Sequence, residues 1–206
     1  MSACTVLQSK VMDNIVERYE QDDLLEAVET LRKGGVILYP TDTVWGIGCD
    51  ATNEEAVKRI YAIKQRTDSK AMLCLLDAPG KLQGYVEDIP SIAWDLIDYA
   101  TKPLTLIYPK GRNIAPNLLA EDGSIGIRIT NEIFSKRLCE MLHAPLVSTS
   151  ANISGEPAAR NFSEISEKVL DAVDYVVRYR RKDKSEPSPS SIIKIGEGGR
   201  FHIIRA

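Results

Sequence analysis

Residues 34–70 constrain the fold more than any other stretch, because apolar, hydroxyl-rich and glycine-rich segments follow one another over a short length. The apolar run at residues 36–39 lies between a glycine and a proline, which predicts a short buried strand. The turn at residues 40–43 supplies hydroxyl groups, and the glycines of residues 46–48 allow a backbone or a ligand to approach closely. The stretch therefore predicts a strand, a polar turn and a second extended segment.

A helix is predicted to follow these segments. Thr52 and Glu55 form the pattern of a capping box, and apolar residues recur at helical spacing as far as Ile63. No acidic residue occurs between residues 56 and 67, so the cations there are interpreted as an unneutralised positive patch that could bind phosphates. A solvated face is the alternative, since cations in a last helical turn stabilise the helix dipole by about 0.3–1 kcal/mol. The patch comprises Lys58, Arg59, Lys64 and Arg66.

Length and composition predict one globular domain. We expect it to cover residues 1–206, with residues 1–20 as an N-terminal extension. Hydrophobic residues make up 44% and charged residues 27% of the chain, and the formal net charge of −3 gives no global attraction to nucleic acid. A polyanion would therefore need a local patch.

Targeting and metal-binding signals are missing from the sequence. No apolar run approaches the roughly 18 residues of a membrane span, and the first residues do not resemble a secretory signal. The four cysteines form no Cys-x-x-Cys pair, which favours buried thiols and a reducing cytoplasm. His143 and His202 show no ligand spacing, so we expect no metal site built from protein side chains.

Helical and strand patterns interleave along the rest of the chain. Helices are predicted to begin near Asp22, Pro90, Asn131 and Ser163. Strands are predicted over residues 71–76, 104–108, 125–129, 175–177, 192–195 and 201–204. Because strict βαβ regularity is absent, the sequence predicts an α/β fold with a twisted, mixed sheet flanked by helices.

Nucleotide-binding and hydrolase signatures such as GxxxxGK[ST], a complete GxGxxG, HExxH and GxSxG are absent from the sequence. A nucleotide would therefore be held by side chains and strand-end hydroxyls. Residues 148–152, Ser-Thr-Ser-Ala-Asn, follow a predicted buried strand, and open α/β sheets bind ligands at the carboxyl ends of their strands. On its own, this segment is equally well interpreted as a capped turn.

Three motifs together resemble the YrdC family: Tyr-Pro-Thr-Asp-Thr-Val-Trp-Gly-Ile-Gly at residues 39–48, Lys-x-Arg at residues 64–66, and Ser-Thr-Ser-Ala-Asn at residues 148–152. The resemblance extends from about residue 22 to residue 205. It implies a mixed sheet curved around a concave, positively charged cavity. It also implies the activity of the family's L-threonylcarbamoyladenylate synthases, which convert L-threonine, bicarbonate and ATP into threonylcarbamoyl-AMP and pyrophosphate for the t6A modification of tRNA.

The resemblance also implies roles for individual residues. The Lys-x-Arg and Ser-x-Asn motifs would hold the phosphates and adenosine of ATP and of the adenylate, and Arg128 would pair with the threonine carboxylate. The implied nucleotide contacts are Lys64, Arg66, Ser124, Ser150, Asn152 and Arg205. The implied threonine contacts are Thr41, Thr43, Arg128, Ser148 and Ser190.

The implied reaction needs no enzyme nucleophile, which agrees with the missing hydrolase signatures. A neutral threonine amine would attack CO2 or bicarbonate, and the carbamate oxygen would then meet the α-phosphate in line. Catalysis would rest on positioning and on neutralising phosphate charge. The candidates for neutralisation are Lys64, Arg66 and Lys70, with Mg2+ carried by the nucleotide. On this interpretation, Lys64→Ala or Arg66→Ala lowers turnover and leaves folding nearly intact.

Several positions depart from the family pattern. The family's Trp-Pro-Gly-Pro turn is replaced here by Ala-Thr-Lys-Pro at residues 100–103, which alters a pocket-forming turn and leaves the substrate preference open. The other departures are Thr67 for a proline, Leu75 for the histidine of long members, Ala158 for a frequent serine and Ser191 for a threonine.

Two other functions stay open at this point. A non-catalytic module that binds duplex RNA or tRNA would suit a basic concavity, and the basic run at residues 178–184 could contact phosphates. That run is more typical of a solvated loop, and aromatic residues for base stacking make up only 6% of the chain. A paralogue acting on another carbamoyl or acyl acceptor is the third possibility. As a synthase, the protein would pass its adenylate to tRNA-modification proteins.

Overall fold

A mixed sheet with helices on both faces organises the computed structural model, which describes residues 19–65, 72–196 and 200–206. The helices are α1 (Gln21–Arg32), α2 (Glu54–Ile63), α3 (Leu82–Tyr85), α4 (Ile92–Asp98), α5 (Ile133–Leu142) and α6 (Glu167–Ala172). The strands are β1 (Ile37–Tyr39), β2 (Gly46–Gly48), β3 (Leu73–Leu76), β4 (Leu104–Tyr108), β5 (Ile125–Ile129), β6 (Leu146–Ser150), β7 (Tyr175–Val176), β8 (Ser191–Ile195) and β9 (Phe201–Arg205).

Parallel and antiparallel pairs both occur in the sheet, whose strand order in the described residues is β7-β1-β2-β6-β3-β5-β4-β8-β9. The pairs β1/β7, β3/β5 and β4/β8 are parallel, and the others are antiparallel. Because β3 and β5 are parallel neighbours, their carboxyl ends meet at one edge of the sheet. The predicted α/β class with a mixed sheet is confirmed.

Side chains alternate between two apolar cores, one on each face of the sheet. On β1, Leu38 belongs to the core that contains Val57 and Ile60 of α2, whereas Ile37 belongs to the core that contains Phe134 of α5. Helices therefore cover both sides of β1. This explains why the strand is apolar throughout rather than alternating with polar residues.

The predicted helix starts are wrong at three places. α2 is capped by Asn53, whose side chain accepts a hydrogen bond from Ala56 N at 3.0 Å, while Thr52 hydrogen-bonds Asp50 instead. α5 is capped by Glu132 rather than by Asn131. The segment predicted as a helix from Ser163 begins with a 3-10 turn, Phe162–Glu164, before α6. Asn53 is at least as good a cap as Thr52, and the sequence pattern locates a helix end only to within one or two residues.

The predicted unneutralised patch is wrong for Lys58 and Arg59, which pair with acidic residues. Lys58 pairs with Glu55 at 2.7 Å, and Arg59 forms two contacts with Asp174 at 2.7 and 2.9 Å. Lys64 is buried. Asp174 lies far along the chain, so the local absence of acids was not informative. Arg66 lies outside the described residues.

The basic run at residues 178–184 is not simply a solvated loop. Arg178 pairs with Glu26 at 3.3 Å, and Arg180 donates a hydrogen bond to the Thr41 carbonyl at 2.9 Å. Arg181 donates to the carbonyls of residues 176 and 177 and lies 5.2 Å from the Phe162 ring centroid. These arginines hold the segment against the rest of the protein.

Membrane-spanning helices and metal-ligand clusters are both absent from residues 19–65, 72–196 and 200–206. No helix there is long and apolar enough to cross a membrane. Nor do three or more histidine, cysteine or acidic side chains converge there in a way that could hold a metal ion.

Candidate active site

A cavity of about 500 Å³ opens on one face of the sheet and spans strands β2 to β9 except β7. Its hydroxyl-bearing residues are Thr43, Thr105, Ser124, Ser148, Thr149, Ser150 and Ser190. Its cations are Arg128, Lys194 and Arg205, and no carboxylate residue of the described chain lines it. Its apolar residues include Trp45, Met72, Leu73, Ile107, Ile192 and Ile204. The cavity is therefore electropositive, with hydroxyls distributed along its floor.

The alternation of β6 explains how two hydroxyls reach this cavity. Val147 packs into the core on one face, so Ser148 and Ser150 project from the other face of the strand. Gly46 of the neighbouring strand leaves the space that Ser148 occupies, because a Cβ on this glycine would lie 3.2 Å from the Ser148 Oγ. The hydroxyls belong to the strand itself and do not form a turn after it, as one interpretation of the sequence had suggested.

Arg128 lies on β5 with its side chain 3% exposed, and its Nη2 is 2.9 Å from Oδ1 of Asp42. The contact is an ion pair rather than an aligned hydrogen bond, because Oδ1 has no hydrogen-bond partner in the described residues. Burial lowers the pKa of Arg128 and raises the pKa of Asp42, and each effect is opposed by the charge of the partner. An arginine stays charged even so. Arg128 is therefore a buried, charged residue.

Ser190 holds a second arginine at the other side of the cavity. Arg205 on β9 donates a hydrogen bond from Nε to the Ser190 carbonyl at 2.8 Å, and its Nη2 lies 3.4 Å from the Ser190 hydroxyl. The Ser190 hydroxyl shares a further hydrogen bond of 2.9 Å with Thr105 Oγ1. Arg205 is close enough to Arg128 that its charge contributes to lowering the pKa of Arg128. Two positive groups thus face one cavity.

Lys64 joins the end of α2 to the bend after β6. Its Nζ donates to the carbonyls of Ser150 at 2.6 Å and Asn152 at 2.8 Å, and it lies 3.4 Å from the Asn152 side-chain oxygen. The Asn152 amide donates in turn to the Glu156 carbonyl at 2.6 Å. The structure therefore brings Lys64 together with the segment that carries Ser150 and Asn152. Neither Lys64 nor Asn152 lines the cavity.

Thr41 supports Thr43 rather than facing the large cavity. The Thr41 Oγ1 donates to the Val44 carbonyl at 2.8 Å and accepts from the Thr43 backbone N–H at 2.9 Å. The two hydroxyl oxygens are 3.0 Å apart, so Thr43 donates to Thr41 and keeps its lone pairs toward the cavity. Thr41 borders a small adjoining pocket beside Arg180.

The remaining predicted residues fall into two groups. Ser124 lines the cavity, with its backbone N–H donating to Asp122 Oδ1 at 3.0 Å. Arg66 and Lys70 lie outside the described residues, so the structure does not place them. Sequence reasoning missed Thr105, Trp45 and Asp42. Asp42 could have been found, because it is the one charged residue between residues 36 and 49.

A mixed α/β sheet with an electropositive, hydroxyl-lined cavity on one face belongs to the α/β class of proteins, and such a lining is suited to small anionic ligands. Comparison with known proteins is more specific. The model of the Sua5/YciO/YrdC family, described as "Telomere recombination", matches residues 29–206. The chain belongs to this family, and the predicted resemblance is confirmed.

Individual relatives agree with this assignment. The threonylcarbamoyl-AMP synthase of Pseudoalteromonas translucida is 36% identical over 172 residues, which cover 82% of this chain and 92% of the relative. The structure of P. abyssi Sua5 complexed with L-threonine is 25% identical with a TM-score of 0.81, over 92% of this chain and 55% of that longer one. E. coli YciO is 26% identical with a TM-score of 0.78, over 90% of this chain and 89% of that one.

Proposed function

We propose that the protein is an L-threonylcarbamoyladenylate synthase, which makes threonylcarbamoyl-AMP and pyrophosphate from L-threonine, bicarbonate and ATP. The observation that supports this most strongly is the charge of the large cavity. Arg128 and Arg205 face it, hydroxyls line it, and no carboxylate of the described chain does. A carboxylate and a polyphosphate are the kinds of ligand that such a lining favours. The names of the curated relatives point to the same reaction.

Threonine would occupy the part of the cavity around Arg128. The guanidinium would pair with the threonine carboxylate, because a buried arginine matches a carboxylate in shape and charge. Thr43, Ser148 and Ser190 would contact the polar groups of the amino acid. Thr41 would act indirectly, by holding the Thr43 hydroxyl. The amine would then lie where its neutral form can attack CO2 or bicarbonate.

ATP would occupy the part of the cavity around Arg205. Of the hydroxyls that line the cavity, Ser124 and Ser150 would contact the nucleotide, and Trp45 and Ile204 are apolar residues of the same lining that would contact the base. Arg66 and Lys70 are assigned to the nucleotide from the resemblance to the family alone. Mg2+ would arrive with the phosphates, since no carboxylate of the described residues lines the cavity to hold it.

Lys64 and Asn152 would contribute by positioning. The Lys64 ammonium binds the Ser150 and Asn152 carbonyls, so it fixes the strand end that presents the Ser150 hydroxyl. Because Lys64 orders this strand end before the substrates bind, less entropy is lost when the carbamate and the α-phosphate are aligned. Neutralisation of phosphate charge would come from Arg205 and from the predicted Arg66 and Lys70.

The altered turn at residues 100–103 does not favour a different acyl acceptor. This turn lines a separate cavity on the other side of β4 and contributes nothing to the electropositive one. The basic run gives less support to the RNA-binding alternative, since the arginines at positions 178, 180 and 181 are held by other groups of the protein. We propose a cytoplasmic enzyme that hands its adenylate to tRNA-modification proteins.

A pyrophosphate-release assay tests the proposal. The full chain would be given ATP, Mg2+ and bicarbonate, with L-threonine compared against L-serine and against no amino acid. We expect release that requires both bicarbonate and threonine, with threonylcarbamoyl-AMP identified by mass spectrometry. Release that is independent of the amino acid, or a salt-sensitive shift of duplex RNA without threonine-dependent release, would overturn the proposal.

A further inference from the structure

A second cavity, of about 560 Å³, lies on the other side of strands β4 and β5. We propose that it is a binding site for a small α-amino acid with an aliphatic side chain. The site is separate from the one proposed for threonine and ATP. The inference rests on the lining of this cavity and is independent of the proposed activity.

Side-chain alternation separates the two cavities. On β5, Ile127 and Ile129 face the second cavity, whereas Arg128 between them faces the first. On β4, Leu104 faces the second cavity and Thr105 the first. The cavities therefore share strands but no side chain of β4 or β5, and both can be filled at the same time.

The second cavity lies where α/β sheets commonly hold ligands. Asp77 follows the last residue of β3, and Asn131 lies two residues beyond β5. Because β3 and β5 are parallel, these residues mark the carboxyl ends of adjacent strands. Crevices outside such ends are preferred ligand sites in open sheets. A volume of this size is also within the usual range for small-molecule pockets.

Asp77 provides a buried carboxylate oxygen that can still accept a hydrogen bond. The residue is 7% exposed, and its Oδ2 lies 2.8 Å from Lys81 Nζ. Its Oδ1 is buried and receives no hydrogen bond from any group in the described parts of the chain. A buried carboxylate oxygen without a donor is unusual and unfavourable. A small adjustment of this side chain would let a ligand ammonium supply the missing donor.

Charged groups of the opposite sign lie nearer the opening. Lys136 is half-buried and Lys102 is exposed, and neither forms an ion pair or a side-chain hydrogen bond within residues 19–65, 72–196 and 200–206. Exposed Asp98 also borders the cavity, and Asp42 is already paired with Arg128. The lysines therefore leave a net positive charge at the opening, suited to a carboxylate.

An aliphatic amino acid matches the three parts of the lining, which are the Asp77 carboxylate, the two lysines and the aliphatic wall. Its ammonium would meet Asp77, its carboxylate would meet Lys136 or Lys102, and its side chain would pack on the aliphatic wall. An amine without a carboxylate would leave the lysines without a partner. A carboxylic acid without an amine would leave Asp77 Oδ1 without a donor. The wall consists of Ile97, Leu104, Leu106, Ile127 and Ile129.

Titration calorimetry on the full chain tests the inference with three ligands: L-leucine, isopentylamine and 4-methylpentanoate. We expect leucine to bind, and each single-headed analogue to bind at least about tenfold more weakly. Asp77→Asn and Lys136→Met should each weaken leucine binding about tenfold. Lys110→Met, at an exposed lysine away from the cavity, is the matched control and should bind as the wild type does. Saturating threonine and ATP should not displace leucine.

Three results would overturn the inference. The first is an absence of binding by leucine up to millimolar concentration. The second is isopentylamine binding as tightly as leucine, which would define a cation site instead. The third is leucine binding that Arg128→Met abolishes and Asp77→Asn leaves intact, which would place leucine in the first cavity. Circular dichroism checks the folding of each variant, and the partly exposed Lys136 provides a test if Asp77→Asn does not fold.

Discussion

Asp42 and Arg128 form a buried ion pair, 2.9 Å between Oδ1 and Nη2, that connects the turn after β1 to the middle of the sheet. Asp42 borders the second cavity and Arg128 the first. Each ion loses hydration on burial, and their mutual attraction offsets part of that cost. The pair therefore determines the orientation in which the guanidinium is presented to a ligand.

Asp42→Asn should weaken threonine binding and destabilise the fold. Removing one member of a buried pair leaves an uncompensated charge, at a cost of about 3–5 kcal/mol. We expect the KM for threonine to rise about tenfold, with a smaller change in the KM for ATP, and the melting temperature to fall by about 6–20 °C. Steady-state kinetics and calorimetry measure both effects. An unchanged melting temperature would show that the ion pair contributes little to the fold.

Lys64→Ala should lower activity and stability together, contrary to the expectation from sequence that folding is nearly unaffected. The ammonium satisfies two carbonyl groups of the bend after β6, and leaving buried acceptors unsatisfied costs about 1–3 kcal/mol. The melting temperature should therefore fall by about 3–10 °C.

Lys58→Ala is the matched control for Lys64, because it lies on the same helix and forms an exposed pair with Glu55. Its melting temperature should stay close to that of the wild type, because surface substitutions away from special features have little effect on stability. If Lys64→Ala lost turnover with an unchanged melting temperature, the residue would act on the nucleotide directly rather than by positioning Ser150.

Arg205→Gln should raise the KM for ATP about tenfold and leave the KM for threonine nearly unchanged. The arginine is oriented by Ser190 toward the part of the cavity proposed for the nucleotide, and hydrogen bonds to charged groups contribute about 1.5–3 kcal/mol. Arg200→Gln, an exposed arginine just before β9, is the matched control. Equal effects of the two substitutions on both Michaelis constants would contradict the assignment.

Asp174 should contribute stability that is lost at acidic pH. Hydrogen bonds from Arg59 lower the pKa of this carboxyl below its ordinary value near 3.8. A lowered pKa means that the unfolded chain binds the proton more readily, so the stabilisation is present above about pH 4 and disappears as the pH falls through the folded-state value. The contribution is below about 1 kcal/mol, because the Asp174 side chain is 40% exposed.

Thermal unfolding of Asp174→Asn and the wild type between pH 2.5 and pH 7 checks this sign. We expect the variant to melt at a lower temperature at neutral pH and the two curves to converge toward the acidic end. Parallel curves across the whole range would mean that the pKa of Asp174 is not lowered by folding.

The elements that sequence predicted best are those whose signal is local. β4 and β5 have the predicted bounds, residues 104–108 and 125–129, because continuous or alternating apolar runs need no distant information. The failures involve partners far along the chain. Arg59 is neutralised by Asp174, and Lys64 binds the carbonyl of Asn152, and neither relationship is visible in a window of sequence. The ion pair of Arg128 with Asp42 was not predicted for the same reason, because Asp42 lies in the connection between β1 and β2.

Most residues of the candidate site were predicted from the family resemblance rather than from the sequence pattern alone. Spacing alone left the segment at residues 148–152 open between a capped turn and a ligand site. The structure places Ser148 and Ser150 in the cavity wall, but Asn152 behind it. Physical reasoning from sequence identifies residue types suited to a ligand. It does not separate those that face the ligand from those that hold its neighbours.

Because consecutive residues of β5 face different cavities, the register of this strand has a consequence for tolerated change. A shift of one residue would move Arg128 into the second cavity and an isoleucine into the first. A deletion or insertion within β5 itself should thus be far more damaging than a replacement of a single side chain. The position of each residue along this strand is therefore itself a determinant of which molecules the protein can hold.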